Sequence, residues 1–173
     1  MASGAGYVIE KLSALHDLSA FDWGNAALDV WLKRFAHTNC QNDSARVYVA
    51  HRSDNCLTGY HALTAVSIER GEEPERVSRG LAAHSVGVIV LARLAVDVTQ
   101  QGKGLGTTLL QDALRRSEQA AEAIGVRAVL VHAIDESARN FYLRFGFTPT
   151  AIDDLRLILL MKDLRALLKP HRP

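Results

Sequence analysis

The sequence has few of the features that mark an exported or membrane protein. Two cysteines among 173 residues, Cys40 and Cys56, do not make a disulfide framework, so a reduced cytoplasmic setting is the simpler interpretation. No charged-then-apolar signal peptide opens the chain, and no apolar run approaches the roughly 18 residues that would suggest a membrane span. We therefore expect a cytoplasmic chain with no membrane partner.

Strong charge and metal-ligand patterns are also lacking. The formal net charge of +1 neither requires nor excludes a nucleic-acid partner, because RNA binding needs a local basic patch rather than a global excess. His37, His51 and His61 show no metal-ligand spacing, and the cysteines form no C-x-x-C pair, so no metal site is predicted. Length and composition predict a single domain over residues 1–173, with a disordered start at 1–6 and a basic tail at 165–173.

Apolar periodicity predicts a mixed α/β chain in which strands alternate with helices only in the second half. Glu69 to His84 is charged and is expected to be a long loop. The predicted strands are Tyr7–Leu12, Arg46–His51, Leu57–Ile68, Val86–Val96, Arg127–Ala133 and Leu155–Met161, and the predicted helices are Asn25–His37, Leu105–Ile124 and Ser137–Phe145.

The most informative stretch is the glycine-rich turn Gln101–Gly106, which follows an apolar strand and opens an amphipathic helix. Glycine lets the backbone approach a ligand closely, and the free N–H groups of a helix start favour phosphate. Lys103 is followed by Gly104 rather than Ser or Thr, which excludes Walker A, and Thr107 breaks the G-x-G-x-x-G dinucleotide pattern. The remaining pattern is Q-x-x-G-x-G, and a pyrophosphate-bearing cofactor is the first hypothesis.

A second segment, Asp135–Phe147, carries Ala138, Phe141, Tyr142 and Gly146 at the spacing N-x-x-A-x-x-F-Y-x-x-x-G-F, with Asp in place of the first Asn. Together with the glycine turn, it resembles the GNAT acetyltransferase superfamily. The resemblance implies an α/β (α+β) GNAT fold, with a mixed, mostly antiparallel central sheet flanked by helices and splayed around the cofactor. It also implies that acetyl-coenzyme A is the acetyl donor.

The resemblance further implies roles for particular residues. Tyr142 is the candidate catalytic acid, because a phenol with a pKa near ~10 can protonate the departing thiolate, whose thiol has a pKa near ~8.5. The candidate cofactor-binding residues are Leu94, Ala95, Val96, Gln101, Gly102, Lys103, Gly104, Leu105, Gly106, Asp135, Asn140 and Tyr142. No general base stands out; His132 is a candidate, and a structural role is the commoner one for a lone histidine. An α-amine, with a pKa near ~7.7, is already partly neutral and needs little help.

Further segments, including Phe21–Asn25 and Leu28–Leu32, are similar to the TacT-like GNAT toxins of type II toxin–antitoxin systems. This resemblance implies acetylation of the α-amine of an aminoacyl-tRNA, a homodimer and a ribbon–helix–helix antitoxin. Candidate tRNA contacts are Arg46, Arg76, Arg79 and Arg93, together with the basic tail.

Two other hypotheses stay open at this point. One is a GNAT enzyme for a protein N-terminus, a polyamine or another small-molecule amine. The other is a coenzyme A-binding or antitoxin-binding module without turnover. The superfamily alone does not decide between them, because related folds serve different substrates.

Overall fold

A computed structural model describes residues 6–69, 79 and 85–169. The first strand is shorter than the expected Tyr7–Leu12, and the second, third and fourth strands have the bounds expected from the sequence. The strands are β1 (Val8–Lys11), β2 (Arg46–His51), β3 (Leu57–Ile68), β4 (Val86–Val96), β5 (Ala128–His132), β6 (Thr148–Pro149) and β7 (Arg156–Leu160). The helices are α1 (Ala26–Gln41), α2 (Leu105–Ala123), α3 (Glu136–Leu143) and α4 (Met161–Leu168).

The seven strands form one sheet in the order β1-β2-β3-β4-β5-β7-β6. β4 and β5 pair in parallel, whereas β1 with β2, β2 with β3, β5 with β7 and β6 with β7 are antiparallel. The expected mixed, mostly antiparallel sheet with helices is therefore confirmed. Within the expected single domain the chain forms two compact units, the first of residues 1–64 and 92–113 and the second of residues 65–91 and 114–173.

In the first unit, helix α1 begins where the sequence places its cap. The Asn25 side chain accepts a hydrogen bond from the Ala27 amide, which satisfies one of the free N–H groups of the first turn. Leu32 and Ala36 are fully buried, whereas Phe35 is 49% exposed, so the helix buries a narrow face.

Also in the first unit, α2 lies very close to β3 at Gly59. A Cβ atom on Gly59 would come within 2.7 Å of Leu109 Cδ1 and 3.0 Å of the Ala95 carbonyl oxygen. Leu105 and Leu109 are buried in the cluster that also contains Ile9 and Val96. The start of α2 is thus fixed against the strands by packing that leaves no room for a side chain at this position.

In the second unit, the core is formed by β4, β5 and β7, including Val88, Leu130 and Ile158. The last predicted strand ends one residue early, and Met161–Leu168 forms helix α4 instead of beginning a tail. Arg165, expected in the basic tail, donates to Glu118 and Glu122 of α2, which gives α4 a polar attachment as well as an apolar face. Among the helices described, none has the length and apolar character needed to cross a membrane.

Candidate functional site

The glycine turn between β4 and α2 has the backbone conformation that its sequence demands. Gly102 has φ +74° and Gly104 has φ +85°, in the left-handed region where other residues are strained. A Cβ atom on either glycine would meet no heavy atom within 4 Å. Glycine is therefore required here by conformation and not by packing, and the main chain of the turn is unobstructed.

Helix α2 begins at the end of this turn, and its first amides are suited to an anion. The Gly104 carbonyl accepts from the Thr108 amide, so Leu105, Gly106 and Thr107 supply the N–H groups of the first helical turn. No acidic side chain lies in that turn, and the helix runs for 19 residues, which favours negative charge at its start. The Lys103 ammonium donates to the Thr99 carbonyl at 2.8 Å and stays exposed at the same turn.

The side chain of Gln101 makes two hydrogen bonds within the chain. Its amide nitrogen donates to the carbonyls of Trp23, at 3.2 Å, and Val96, at 3.0 Å. Those two bonds use both hydrogens of the side-chain amide. Gln101 therefore ties the turn to the end of β4, and its contact with the cofactor stays a prediction.

Asp97 is a residue of this site that the sequence reasoning missed. Its carboxylate accepts from the amides of Asp22 and Thr99 and from the Thr99 hydroxyl, at 2.6 to 3.0 Å. Burial alone would raise the pKa of Asp97, but these hydrogen bonds outweigh it and hold the pKa below its usual value. An acidic residue placed directly between an apolar strand and a glycine turn was the available signal.

The end of β4 lies beyond its pairing with β5. The parallel register joins Val88–Leu91 to Ala128–Val131, and β4 continues to Val96. Leu94 is half-buried, whereas Ala95 and Val96 are buried. These three predicted cofactor contacts therefore lie in the same compact unit as the glycine turn.

Tyr142 lies in the second unit, on helix α3. Asp135, predicted near the cofactor, accepts from the Ala138 amide at 2.8 Å and caps α3, and Asn140 is exposed on the same helix. The Tyr142 ring is 6% exposed and packs edge-on against Phe141 and Phe147. Asp135 thus has a structural role that accounts for it, and α3 presents Tyr142 on a rigid aromatic support.

The hydroxyl of Tyr142 is kept in its protonated form. Burial raises the pKa of this phenol well above its usual value, because the anion would be poorly solvated. No residue within 6–69, 79 and 85–169 forms a hydrogen bond with it. A neutral phenol with its proton uncommitted is chemically suited to donate to a developing anion.

Three of the four predicted tRNA contacts fall within the described residues. Arg46 donates to Asp43 at 2.6 Å and to the Cys40 carbonyl, and Arg93 stacks its guanidinium on Trp31 at 4.5 Å. Arg79 is exposed, and its carbonyl accepts from Arg127. Arg46, Arg79 and Arg93 therefore all make contacts within the chain, while Arg76 lies outside the described residues.

His132, the candidate base, is exposed at the end of β5. Its neighbour Ala133 continues the strand edge through a bond from its amide to the Leu155 carbonyl. His132 stays a candidate.

The chain is similar to known proteins over most of its length. The Acetyltransferase (GNAT) domain family matches residues 43–149. The tRNA-acetylating toxin of Mycobacterium tuberculosis (strain ATCC 25618 / H37Rv) is 43% identical over 158 residues, which cover 91% of this chain and 94% of that protein.

Two solved structures are similar over nearly their whole length. AtaT complexed with acetyl-methionyl-tRNAfMet has a TM-score of 0.87 and 28% identity, with 94% of this chain and 99% of that chain covered. A tyrosine-to-phenylalanine mutant of the AtaT toxin, bound to the C-terminus of the antitoxin AtaR and acetyl-CoA, has a TM-score of 0.82 and 29% identity, with 95% and 99% covered.

Proposed function

The chain belongs to the GNAT acetyltransferase family, and from that premise we propose that it is a toxin that acetylates the α-amine of an aminoacyl-tRNA, with acetyl-CoA as the acetyl donor. The observation that carries the proposal is the similarity to the tRNA-acetylating toxin, which extends across nine-tenths of both chains. Acetylation of that amine would block translation, because the acylated nitrogen no longer attacks in peptide-bond formation.

The glycine turn is the proposed seat of the donor's diphosphate. Main-chain amides from Gly102 to Gly106 supply the hydrogen bonds, and the dipole of α2 favours the negative charge. Asp97 and the Gln101 side chain hold the turn in this conformation without offering their own groups to the ligand. The unobstructed face in front of Gly102 and Gly104 fits a bulky anion that must approach the backbone directly.

Tyr142 is the proposed proton donor. The donor supplies an acetyl group activated as a thioester, whose sulfur leaves as a thiolate. Its hydroxyl would donate a hydrogen bond or a proton to that sulfur, and it would regain a donated proton from water. The attacking amine needs no strong base, because the neighbouring ester lowers the pKa of an α-amine below the usual ~7.7.

The substrate and partner parts of the proposal follow the relatives. AtaT binds acetyl-methionyl-tRNAfMet and the antitoxin AtaR. By analogy we propose a cytoplasmic homodimer with an antitoxin partner of the ribbon–helix–helix class. On the tRNA side, Arg46, Arg79 and Arg93 stay candidate contacts, although each also makes a contact within the chain.

The test is to incubate the protein with labelled acetyl-CoA and four acceptors: total aminoacyl-tRNA, the same tRNA after deacylation, a peptide with a free N-terminus, and spermidine. We expect label only in aminoacyl-tRNA, released as an N-acetyl amino acid when the ester is hydrolysed by mild alkali. Label in the peptide or spermidine alone would contradict the substrate assignment. No label in any acceptor would favour the binding-module hypothesis.

A further inference from the structure

Three metal-binding side chains that are far apart in the sequence meet in the first unit. Glu10 is on β1, His51 ends the paired strand β2, and His16 lies in the segment 12–20 that follows β1. The Glu10 Oε1 atom lies 2.6 Å from His51 Nε2 and 3.1 Å from His16 Nε2. One ligand atom from each side chain lies within 4.8 Å of the others.

The contacts of His51 leave its Nε2 atom facing the Glu10 carboxylate. The His51 Nδ1 atom lies 2.7 Å from the Arg52 carbonyl, which can only accept, so Nδ1 carries the donated proton. The Nε2 atom must then carry a second proton to bond the carboxylate, or offer its lone pair to a metal. A backbone carbonyl on the second ring nitrogen is the usual way in which a metal-binding histidine is oriented.

The second histidine is held differently from His51. His16 Nδ1 lies 3.1 Å from the Ser13 hydroxyl and accepts from the Ser13 amide at 3.0 Å. For Nε2 to bind a metal, the ring proton must move to Nδ1, which would have to turn from the Ser13 amide to the Ser13 hydroxyl as its acceptor. Ser13 is therefore the residue through which ligand binding at His16 would be tuned.

Burial and chemistry select the ion. The two imidazoles are 3% and 9% exposed, whereas Glu10 is 51% exposed, so the cluster has two fixed ligands and one that can adjust from the solvent side. Ligand atoms about 2.0–2.2 Å from a tetrahedral zinc ion lie about 3.3–3.6 Å from each other. The distance between Glu10 and His16, 3.1 Å, is close to that range. The distance between Glu10 and His51, 2.6 Å, would reach it if the exposed Glu10 side chain shifted outward. We propose that Glu10, His16 and His51 form a binding site for one zinc-class divalent cation, with water as the fourth ligand.

A cation at this site would raise the stability of the fold and would take no part in acetyl transfer. It would fasten the segment 12–20 to β1 and β2, and that segment leads directly to Asp22, whose amide donates to Asp97 below the glycine turn. A bound cation would therefore stabilise the segment that supports the glycine turn, although the cation itself would lie away from the turn. Binding only to the folded chain raises its stability in proportion to the logarithm of metal concentration over Kd.

The experiment uses the untagged full chain, freed of metal with a chelator and titrated with ZnCl2 in a calorimeter. We expect one Zn²⁺ per chain, and a weakening of binding by about 100-fold or more in His51→Gln and about 10-fold in Ser13→Ala. His132→Gln, which changes an exposed histidine outside the cluster, is the matched control and should bind zinc like the parent.

A second measurement on the unchanged chain removes any dependence on variant folding. Co²⁺ added in place of Zn²⁺ should give the intense visible bands of a tetrahedral site, and Zn²⁺ should abolish them. The proposal is overturned if neither ion binds below about 1 mM, or if binding is unchanged in His51→Gln. The cluster would then be a hydrogen-bonded clamp held by a proton.

Discussion

In the first unit the proposed donor site works through the main chain, whereas in the second unit the proposed chemistry depends on one side-chain hydroxyl. The turn at Gly102 and Gly104 needs a backbone shape, and its side chains serve mainly to hold that shape. On helix α3 the proposed role belongs instead to one side-chain group, the Tyr142 hydroxyl, whose ring packs against Phe141 and Phe147. Substitutions should therefore separate donor affinity from turnover cleanly.

The largest expected effect is on turnover. Tyr142→Phe should lower single-turnover acetyl transfer about 10²- to 10³-fold, because the leaving sulfur loses its acid, while the Kd for acetyl-CoA stays within about 2-fold. Tyr60→Phe is the matched control: it removes the hydroxyl of another buried tyrosine, which donates only to the Leu28 carbonyl. Unchanged transfer in Tyr142→Phe would show that the acid has been assigned wrongly.

The next effect is on donor affinity. Gly104→Ala should weaken acetyl-CoA binding about 10-fold, because a left-handed conformation costs a non-glycine residue about 1–2 kcal/mol. Gly125→Ala provides the comparison, since that glycine is exposed, has an ordinary φ and has nothing within 4 Å of its Cβ position. Equal affinities of the two variants, measured by calorimetry, would argue against a main-chain seat for the diphosphate.

The smallest effect is on stability and depends on pH. The pKa of Asp97 is lower in the folded chain than its unfolded value near ~3.9, so its stabilising effect is present above that pH and is lost as pH falls through the folded pKa. Asp97→Asn should lower the free energy of unfolding at pH 7 by about 1–2 kcal/mol.

The difference between parent and Asp97→Asn should therefore shrink in urea unfolding below pH 4. The exposed Asp154→Asn is a useful control because its side chain has no such set of donors. A difference that stayed constant from pH 7 to pH 3 would mean that the Asp97 carboxylate charge is not what holds the turn.

Much of the fold could be predicted because local signals agreed with the tertiary structure. β2, β3 and β4 are apolar segments bounded by turns, and their limits were predicted correctly. Helix α4 was missed because it follows β7 without a break and its first residue has no side-chain cap. The sequence predicted Arg165 in a solvated tail, because only the fold brings Glu118 and Glu122 beside it.

In the candidate site, too, local features could be predicted from the sequence and contacts made by the fold could not. The two glycines were identified because positive φ is a local demand that sequence expresses directly. The partners of Gln101 could not be predicted, since Trp23 and Val96 are brought to it only by the fold. The cluster of Glu10, His16 and His51 was invisible to ligand spacing for the same reason, because the antiparallel pairing of β1 and β2 assembles it.

The tight approach of α2 to β3 at Gly59 bears on any attempt to redesign this enzyme for larger acyl carriers. Because Leu109 and the Ala95 carbonyl already fill the space that a methyl group would need, the helix cannot be moved inward, and moving it outward would open a void. An engineer would have to lengthen or reshape the turn itself and leave the helix where it lies.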